Sequence, residues 1–156
     1  MHQLDELDMT ILAELERNAR IKVSDLARHL NIPTSTIRDR IHKLEEVGVI
    51  RGYTTIIDHT KLGLNIKAII QASREHSVTL NNYHSESAKL PEVTNMKVLT
   101  GDVDQLITIY ARDVDDLKRI IYSTFQDVKG MVKLSTSIVL SEQSFPLTRR
   151  FNPDQK

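Results

Sequence analysis

Polar and cationic side chains gather between residues 34 and 43, where only two apolar residues interrupt them. Hydroxyls at a helix N-terminus can bond phosphate oxygens beside the free backbone N–H groups there. Arginine can donate two hydrogen bonds to the O6/N7 edge of guanine. These residue types in this order predict a helix that contacts DNA bases or phosphates through Thr34, Ser35, Thr36, Arg38, Arg40, His42 and Lys43. An ordinary surface helix whose cations are merely solvated is the alternative.

Two helices joined by a tight turn would position this surface. The first has an apolar stripe at helical period, with Ser24 as its start signal, and Pro33 disfavours helical backbone at Ile32. The second repeats apolar residues at i, i+4 and i+7 and meets a natural stop at Gly48. The stripes are Leu26, Ala27 and Leu30 in the first helix and Ile37, Ile41 and Leu44 in the second. This pattern is typical of a helix-turn-helix, and an amphipathic helix at 4–18 would pack behind it.

The segment VIRGYTTIID after Gly48 is rich in β-branched residues. It predicts either a small wing, in which Arg51 or Tyr53 contacts the DNA backbone, or a linker strand that packs on the helices. A hinge at 59–63 follows. We therefore divide the chain into a DNA-binding domain at 1–58, a second domain at 59–140 and a tail at 141–156.

The second half alternates strands with helices. Strands are predicted at 64–72, 93–100, 105–111 and 133–140, and helices at 81–90 and 114–126. A Gly/Asp loop at 101–104 joins the middle strands as an antiparallel hairpin. The order βαββαβ is the ferredoxin-like unit, with both helices on one face of the sheet, so the whole chain is α+β. The other face would carry apolar side chains without cover, which predicts pairing with a second copy.

Composition excludes several kinds of site. The 156 residues include no cysteine, which rules out disulfides, a thiolate nucleophile and cysteine-bound zinc. The six histidines are never three or four residues apart, so we expect no metal. No Ser-His-Asp pattern, phosphate loop or pair of carboxylates stands out, so we expect no cofactor and no catalytic residue. Net charge is +0, yet residues 17–51 hold eight Lys/Arg against four acids, which favours one basic face. No apolar run approaches ~18 residues, which predicts a cytoplasmic protein without a membrane segment.

The layout resembles the Lrp/AsnC (leucine-responsive, or feast/famine) family, and the matching motifs run along nearly the whole chain. LDELDMTIL at 4–12 is similar to the family's opening LD-x-x-D-x-x-IL, and 37–58 resembles its recognition helix and following strand. Further matches are NARIKVSDLA at 18–27, PEV at 91–93, LTGDVD at 99–104 and STSIVL at 135–140. The resemblance implies a sequence-specific transcriptional regulator with a winged helix-turn-helix domain and a RAM domain.

The resemblance also implies assembly and an effector. RAM domains dimerise through their sheets, and the dimers form larger rings, often octamers. A small effector, typically an amino acid, binds between subunits near the hairpin loop, and the matching residues here are Gly101, Asp102, Asp104 and Thr136. Backbone N–H groups at a glycine turn can hold a carboxylate, and an acidic side chain can hold an ammonium group. A hairpin turn that needs Gly and Asp for geometry alone is the alternative.

Two other functions compete with sensing and regulation. Rings of dimers would wrap DNA architecturally, with weak sequence preference. The sirohaem decarboxylases share the layout, but the scattered histidines and only three Phe and four Tyr argue against a tetrapyrrole site. We therefore expect a non-enzyme whose partners are double-stranded DNA, an amino-acid effector and further copies of itself.

Overall fold

The computed structural model describes residues 4–75, 88–125 and 130–151. The chain divides into two compact units, Met1–Ile56 together with Gln143–Lys156, and Ile57–Glu142. From Gln143 onward, the tail that the sequence suggests as a separate segment thus groups with the first unit. Its 3-10 turn, Leu147–Arg150, is held there because the Glu16 carboxylate accepts the Leu147 and Thr148 N–H groups at 2.6 and 3.0 Å.

The first unit contains three helices around one apolar core. They are α1 (Glu6–Arg17), α2 (Val23–Leu30) and α3 (Thr34–Glu46). The fully buried side chains at their junction are Ile11, Leu26, Ile37 and Leu44. The predicted helix-turn-helix with a helix behind it is therefore confirmed.

The ends of these helices differ from the prediction by one or two residues, and α1 runs over Glu6–Arg17 rather than 4–18. Helix α2 begins one residue before Ser24, and Lys22 precedes it without a side-chain cap. Asn31 ends α2 in a left-handed conformation with φ 55°, which asparagine tolerates better than most residues. Pro33 directly precedes α3, and Gly48, with φ +75°, follows it. The glycine stop is thus where the sequence placed it.

The segment after α3 does not form the predicted wing or linker strand. The described residues 49–58 contain no strand. A strand needs a partner for its backbone groups, and none is supplied here. Ile56 is instead 96% exposed, and Ile57 is 52% exposed. The prediction of strand structure in this segment is therefore wrong for the single chain.

The second unit is a four-stranded antiparallel sheet in the order β2-β3-β1-β4. The strands are β1 (Ile66–Arg74), β2 (Val93–Val98), β3 (Gln105–Ala111) and β4 (Met131–Ile138). This is the strand order of the ferredoxin-like unit. Helix α4 (Val114–Ile120) continues into a π-helical turn, Ile121–Phe125, which buries Phe125 completely. Most of the helix predicted at 81–90 lies outside the described residues.

Alternation along the strands gives the sheet two different faces. One face carries a buried cluster with α4 and the π-helical turn, comprising Ala68, Ile70, Ile107, Ile109, Ala111, Leu117, Ile120 and Phe125. The opposite face is mixed, because Ile69 and Leu106 share it with Lys67, Thr108 and Tyr110. These five side chains are half-buried. The face predicted to be apolar is therefore only partly so.

The first turn of α4 is fixed by a compact ion-pair network around Asp116. Asp113 caps the helix by accepting the Asp116 N–H at 2.7 Å. The Asp116 carboxylate accepts hydrogen bonds from Arg112 Nε at 3.1 Å and Arg119 Nη2 at 2.9 Å. The bonds from Arg112, and then from Arg119, hold the pKa of Asp116 well below its usual range.

We expect Asp116→Asn to weaken the fold in a pH-dependent way. A carboxyl whose pKa is lower in the folded state stabilises that state above its unfolded pKa of about 3.9. That contribution fades as pH falls through the lower folded value. The free energy of unfolding in urea should therefore differ between the two proteins at pH 7, and the difference should shrink below about pH 4.

Asp115→Asn is the matched control, because Asp115 is 92% exposed and pairs only loosely with Lys118 at 3.2 Å. It should change the free energy of unfolding little at any pH. A difference between wild type and Asp116→Asn that stays constant with pH would contradict the network's role.

Candidate nucleic-acid and effector sites

The outward face of α3 presents a polar surface. Ser35, Arg38, Asp39, His42 and Lys43 are exposed, while Thr34 and Thr36 are half-buried at the helix start. His42 Nε2 lies 3.4 Å from Glu46 Oε1. A cavity of about 350 Å³ beside this face is lined by Val23, Arg38, Asp39, Ile41, His42 and Glu45. The structure thus gathers six of the seven predicted contact residues of α3 at its start and on its outward side.

The N-terminus of α3 is itself suited to an anion. Pro33 provides no side-chain cap, and the first helical bond runs from the Ile37 N–H to the Pro33 carbonyl at 3.1 Å. Helix geometry therefore leaves the N–H groups of Thr34, Ser35 and Thr36 without an intrahelical acceptor. The positive end of the helix dipole lies at the same place. Phosphate oxygens fit both features.

Arg40 is placed differently from the other predicted contact residues of α3. Its Nη1 donates to Asp5 Oδ2 and, at 3.0 Å, to Asp8 Oδ1, so the guanidinium points towards α1. The Asp8 N–H and the Arg40 guanidinium together lower the pKa of Asp5. The geometry gives Arg40 a partner inside the protein and does not support a DNA contact. The position of Arg40 in the sequence could have indicated this placement. Arg40 is three residues after Ile37 and four before Leu44, and therefore lies beside the buried stripe of α3.

The segment that follows α3 is tied to the end of that helix. The Tyr53 hydroxyl donates to Glu45 Oε1 at 2.8 Å. Desolvation, and then the bond to Glu45, raise the pKa of Tyr53 to about 12. Arg51 is exposed between them in sequence. The sequence did not indicate the Tyr53–Glu45 bond, which holds the backbone around Arg51 near the C-terminal end of α3.

The hairpin loop at 101–104 is anchored to the end of β1. Asp104 Oδ2 accepts the Arg74 N–H at 2.8 Å, and Asp104 Oδ1 lies 3.6 Å from Arg74 Nε. The Ser73 hydroxyl donates to the Asp102 backbone carbonyl at 3.0 Å. Gly101 has φ +121°, a conformation that side chains disfavour. Asp104 therefore holds the loop in place, while the Asp102 side chain remains exposed.

Thr136 is not brought to this loop within one chain. It pairs with Ile70 on β1, whereas the loop adjoins the other side of β1 near Ala72 and Arg74. Strand spacings of ~4.8 Å and a rise of ~3.4 Å per residue separate Thr136 from the loop by on the order of 10 Å. Sequence matching had grouped these residues, and the single chain groups only Gly101, Asp102 and Asp104.

Comparison with known proteins identifies both units. The AsnC-type helix-turn-helix domain matches residues 4–45, and the Lrp/AsnC ligand binding domain matches residues 67–145. The chain belongs to the Lrp/AsnC family. It is therefore a transcriptional regulator of the Lrp/AsnC type with a DNA-binding and a ligand-binding domain.

Relatives support this assignment along almost the whole chain. An HTH-type transcriptional regulator of Pyrococcus abyssi is 34% identical over 96% of this chain and 94% of its own. The transcriptional regulator AzlB of Bacillus subtilis is 30% identical over 90% of each chain. Among solved structures, a regulator of Neisseria meningitidis in complex with L-Met has a TM-score of 0.85 at 24% identity, covering 94% of this chain and 96% of that one. That last likeness shows the Lrp/AsnC fold.

Two further features concern the described part of the chain. No helix there is both long and apolar enough to cross a membrane. No group of three or more His, Asp or Glu side chains is placed there to hold a metal ion.

We expect Asp104→Ala to loosen the loop. The change removes the acceptor of the Arg74 N–H and the carboxylate beside its guanidinium, which should lower the free energy of unfolding by about 1–3 kcal/mol. Faster hydrogen exchange at the Arg74 amide, measured by NMR, should accompany the loss. Asp102→Ala is the control, because the Ser73 bond uses only the backbone of Asp102. Equal stability of the two variants would show that Asp104 does not anchor the loop.

Proposed function

We propose that this Lrp/AsnC regulator recognises specific DNA sequences through α3, under the control of an amino-acid effector. The observation that carries the proposal is the outward face of α3, where Ser35, Arg38, His42 and Lys43 lie exposed beside an uncapped helix N-terminus. Hydroxyls and amides at that end suit phosphates, and Arg38 suits a guanine edge. Thr34 and Thr36, at the start of α3, would contact the DNA backbone. Arg51, which follows the C-terminal end of α3, would contact the DNA backbone as well.

A dimer would present two such helices to successive major grooves, about 34–36 Å apart. The mixed sheet face supports pairing, since its half-buried Ile69 and Leu106 are apolar. Polar groups on the same face, including Lys67, whose Nζ lies 2.6 Å from Glu142 Oε2, would set the register of the two copies. We propose further assembly of dimers into a ring, for which the family suggests an octamer. Light scattering of the purified chain tests this assembly.

The proposed effector is a free amino acid bound at the 101–104 loop. The structural neighbour of Neisseria meningitidis was solved with L-Met, which supports this class of ligand for the shared fold. Backbone N–H groups around Gly101 would hold the carboxylate, and the exposed Asp102 side chain would hold the ammonium group. Asp104 would keep the loop in place through Arg74. Thr136 would reach the ligand only from a neighbouring copy.

We expect two kinds of DNA contact to separate by mutation. Arg38→Ala should cost ~1–3 kcal/mol on an operator and relax its sequence preference, because a base contact is lost. Lys43→Ala should weaken all duplexes alike and lower the salt slope by about 1, because a phosphate contact is lost. Fluorescence anisotropy with a selected operator and a scrambled duplex, between 50 and 200 mM salt, measures both effects.

Lys118→Ala is the control for removal of an exposed cation, since Lys118 lies in α4 of the other unit. It should leave both affinities unchanged. A protein that reads an operator prefers its site over scrambled DNA by ~10³ or more. If the wild-type protein binds operator and scrambled DNA equally, the result would favour an architectural function over sequence-specific regulation.

We expect one or a few of the twenty amino acids to raise the melting temperature. A ligand at ~100 times its dissociation constant stabilises the native state by ~2.7 kcal/mol, a shift of several degrees for a chain of this size. Asp102→Ala should abolish the shift because it removes the proposed ammonium partner, whereas Asp115→Asn in α4 should retain it. No shift with any amino acid would remove this class of effector at the concentrations used.

A further inference from the structure

We propose that Arg40 is a positioning residue for DNA recognition. Its ion pairs with Asp5 and Asp8 fix the angle of α3 against α1, and it does not contact DNA. The proposal rests on the proposed function of α3 as the recognition helix.

One nitrogen of Arg40 serves both acids. Nη1 donates to Asp5 Oδ2 and to Asp8 Oδ1, 32 and more residues away in sequence. The Arg40 side chain is 32% exposed and the Asp8 side chain only 2%. The Arg40–Asp8 pair therefore lies at the helix interface, whereas the Asp5 side chain is 50% exposed. The Arg40–Asp8 pair is the kind of contact that constrains both helices, because a guanidinium donates in fixed directions.

The same two carboxylates also begin α1. Asp5 Oδ1 accepts the Asp8 N–H at 2.9 Å, and Asp8 Oδ2 accepts the Asp5 N–H at 3.1 Å. This reciprocal capping box sets two negative charges close together, with Asp8 nearly buried. Arg40 supplies the cation that such a pair requires. The start of α1 and the middle of α3 thus share one network, in which moving either helix breaks bonds in both.

The position of Arg40 on α3 makes this network relevant to DNA. Arg38 is two residues earlier and Lys43 three later, and both are exposed on the outward face. A rotation or tilt of α3 after loss of Arg40 would displace both side chains together. Operator binding would then weaken and its preference over a scrambled duplex would relax, because the displaced Arg38 would lose its base contact while the positive charges near the phosphates stayed the same.

Asp5→Asn distinguishes two possible roles of Arg40, because the two roles predict opposite changes in operator affinity. Asparagine caps a helix about as well as aspartate, so the start of α1 is kept while the charge facing Arg40 is lost. If Arg40 positions α3, operator affinity should fall by roughly threefold or more. If Arg40 instead contacts DNA and the acids restrain it, operator affinity should rise. The latter result would overturn the proposal.

Glu6→Gln is the matched control. Glu6 is the exposed neighbour of Asp5 in the first turn of α1, so the variant removes the same charge from the same place without touching Arg40. Its operator affinity should equal that of wild type. An equal loss in both variants would also overturn the proposal, because general electrostatics would then explain the effect.

Arg40→Met supplies a second readout. We expect weaker operator binding with an unchanged slope of log affinity against log salt, whereas loss of a phosphate contact would lower the slope by about 1. Combined with Asp5→Asn, the effects on operator affinity should be less than additive, since both changes break one network. If Arg40→Met does not fold, the sign of the Asp5→Asn effect decides. Wild-type protein that binds no DNA would overturn the proposed function, whereas tighter binding by Asp5→Asn overturns only the positioning role.

Discussion

The outward surface of α3 depends on the burial of four side chains, Ile11, Leu26, Ile37 and Leu44. Each contributes roughly 1.5–3 kcal/mol when it leaves water. Two of them, Ile37 and Leu44, belong to α3 and lie two turns apart on one stripe. Burying both sets the rotation of the helix about its own axis. Arg38, Asp39, His42 and Lys43 therefore face outward, because the opposite side of α3 is buried in the core.

Apolar burial sets rotation but leaves tilt and sliding less defined, because an apolar stripe can repack with small shifts. Directional bonds restrict those movements. The Arg40 network joins α3 to α1, and the Tyr53–Glu45 bond joins α3 to the segment beyond it. Both bonds link residues that are separate in sequence and carry charge or a hydroxyl. Periodicity places Arg40 beside the buried stripe, but only the folded structure shows that Asp5 and Asp8 meet it there.

The helices and strands of the fold were more predictable from the sequence than the residues at which each of them begins and ends. The predicted bounds of β3, 105–111, match the observed strand, whose start follows the Gly/Asp loop at 101–104 that the prediction used. Strand β1 was predicted two residues early, yet in the right phase, so Ala68 and Ile70 faced the core as expected. Its true end depends on pairing with Met131 and on the Glu75 N–H bonding the Gly130 carbonyl at 2.7 Å. Such distant partners leave no pattern in the local sequence. The absence of a partner strand for the described residues around Ile56 leaves no local pattern either.

In the proposed effector site, the hairpin loop would serve both the geometry of the turn and the ligand. Asp104 is occupied by Arg74, so its charge serves the fold first. That anchoring holds the neighbouring backbone around Gly101 in one shape before any ligand arrives, which lowers the ordering cost of binding. In the proposed site, discrimination among ligand side chains would come from elsewhere, because the single chain leaves Thr136 across β1 from the loop. A second copy that supplies its Thr136 to the proposed site would couple ligand binding to assembly, since each would then favour the other.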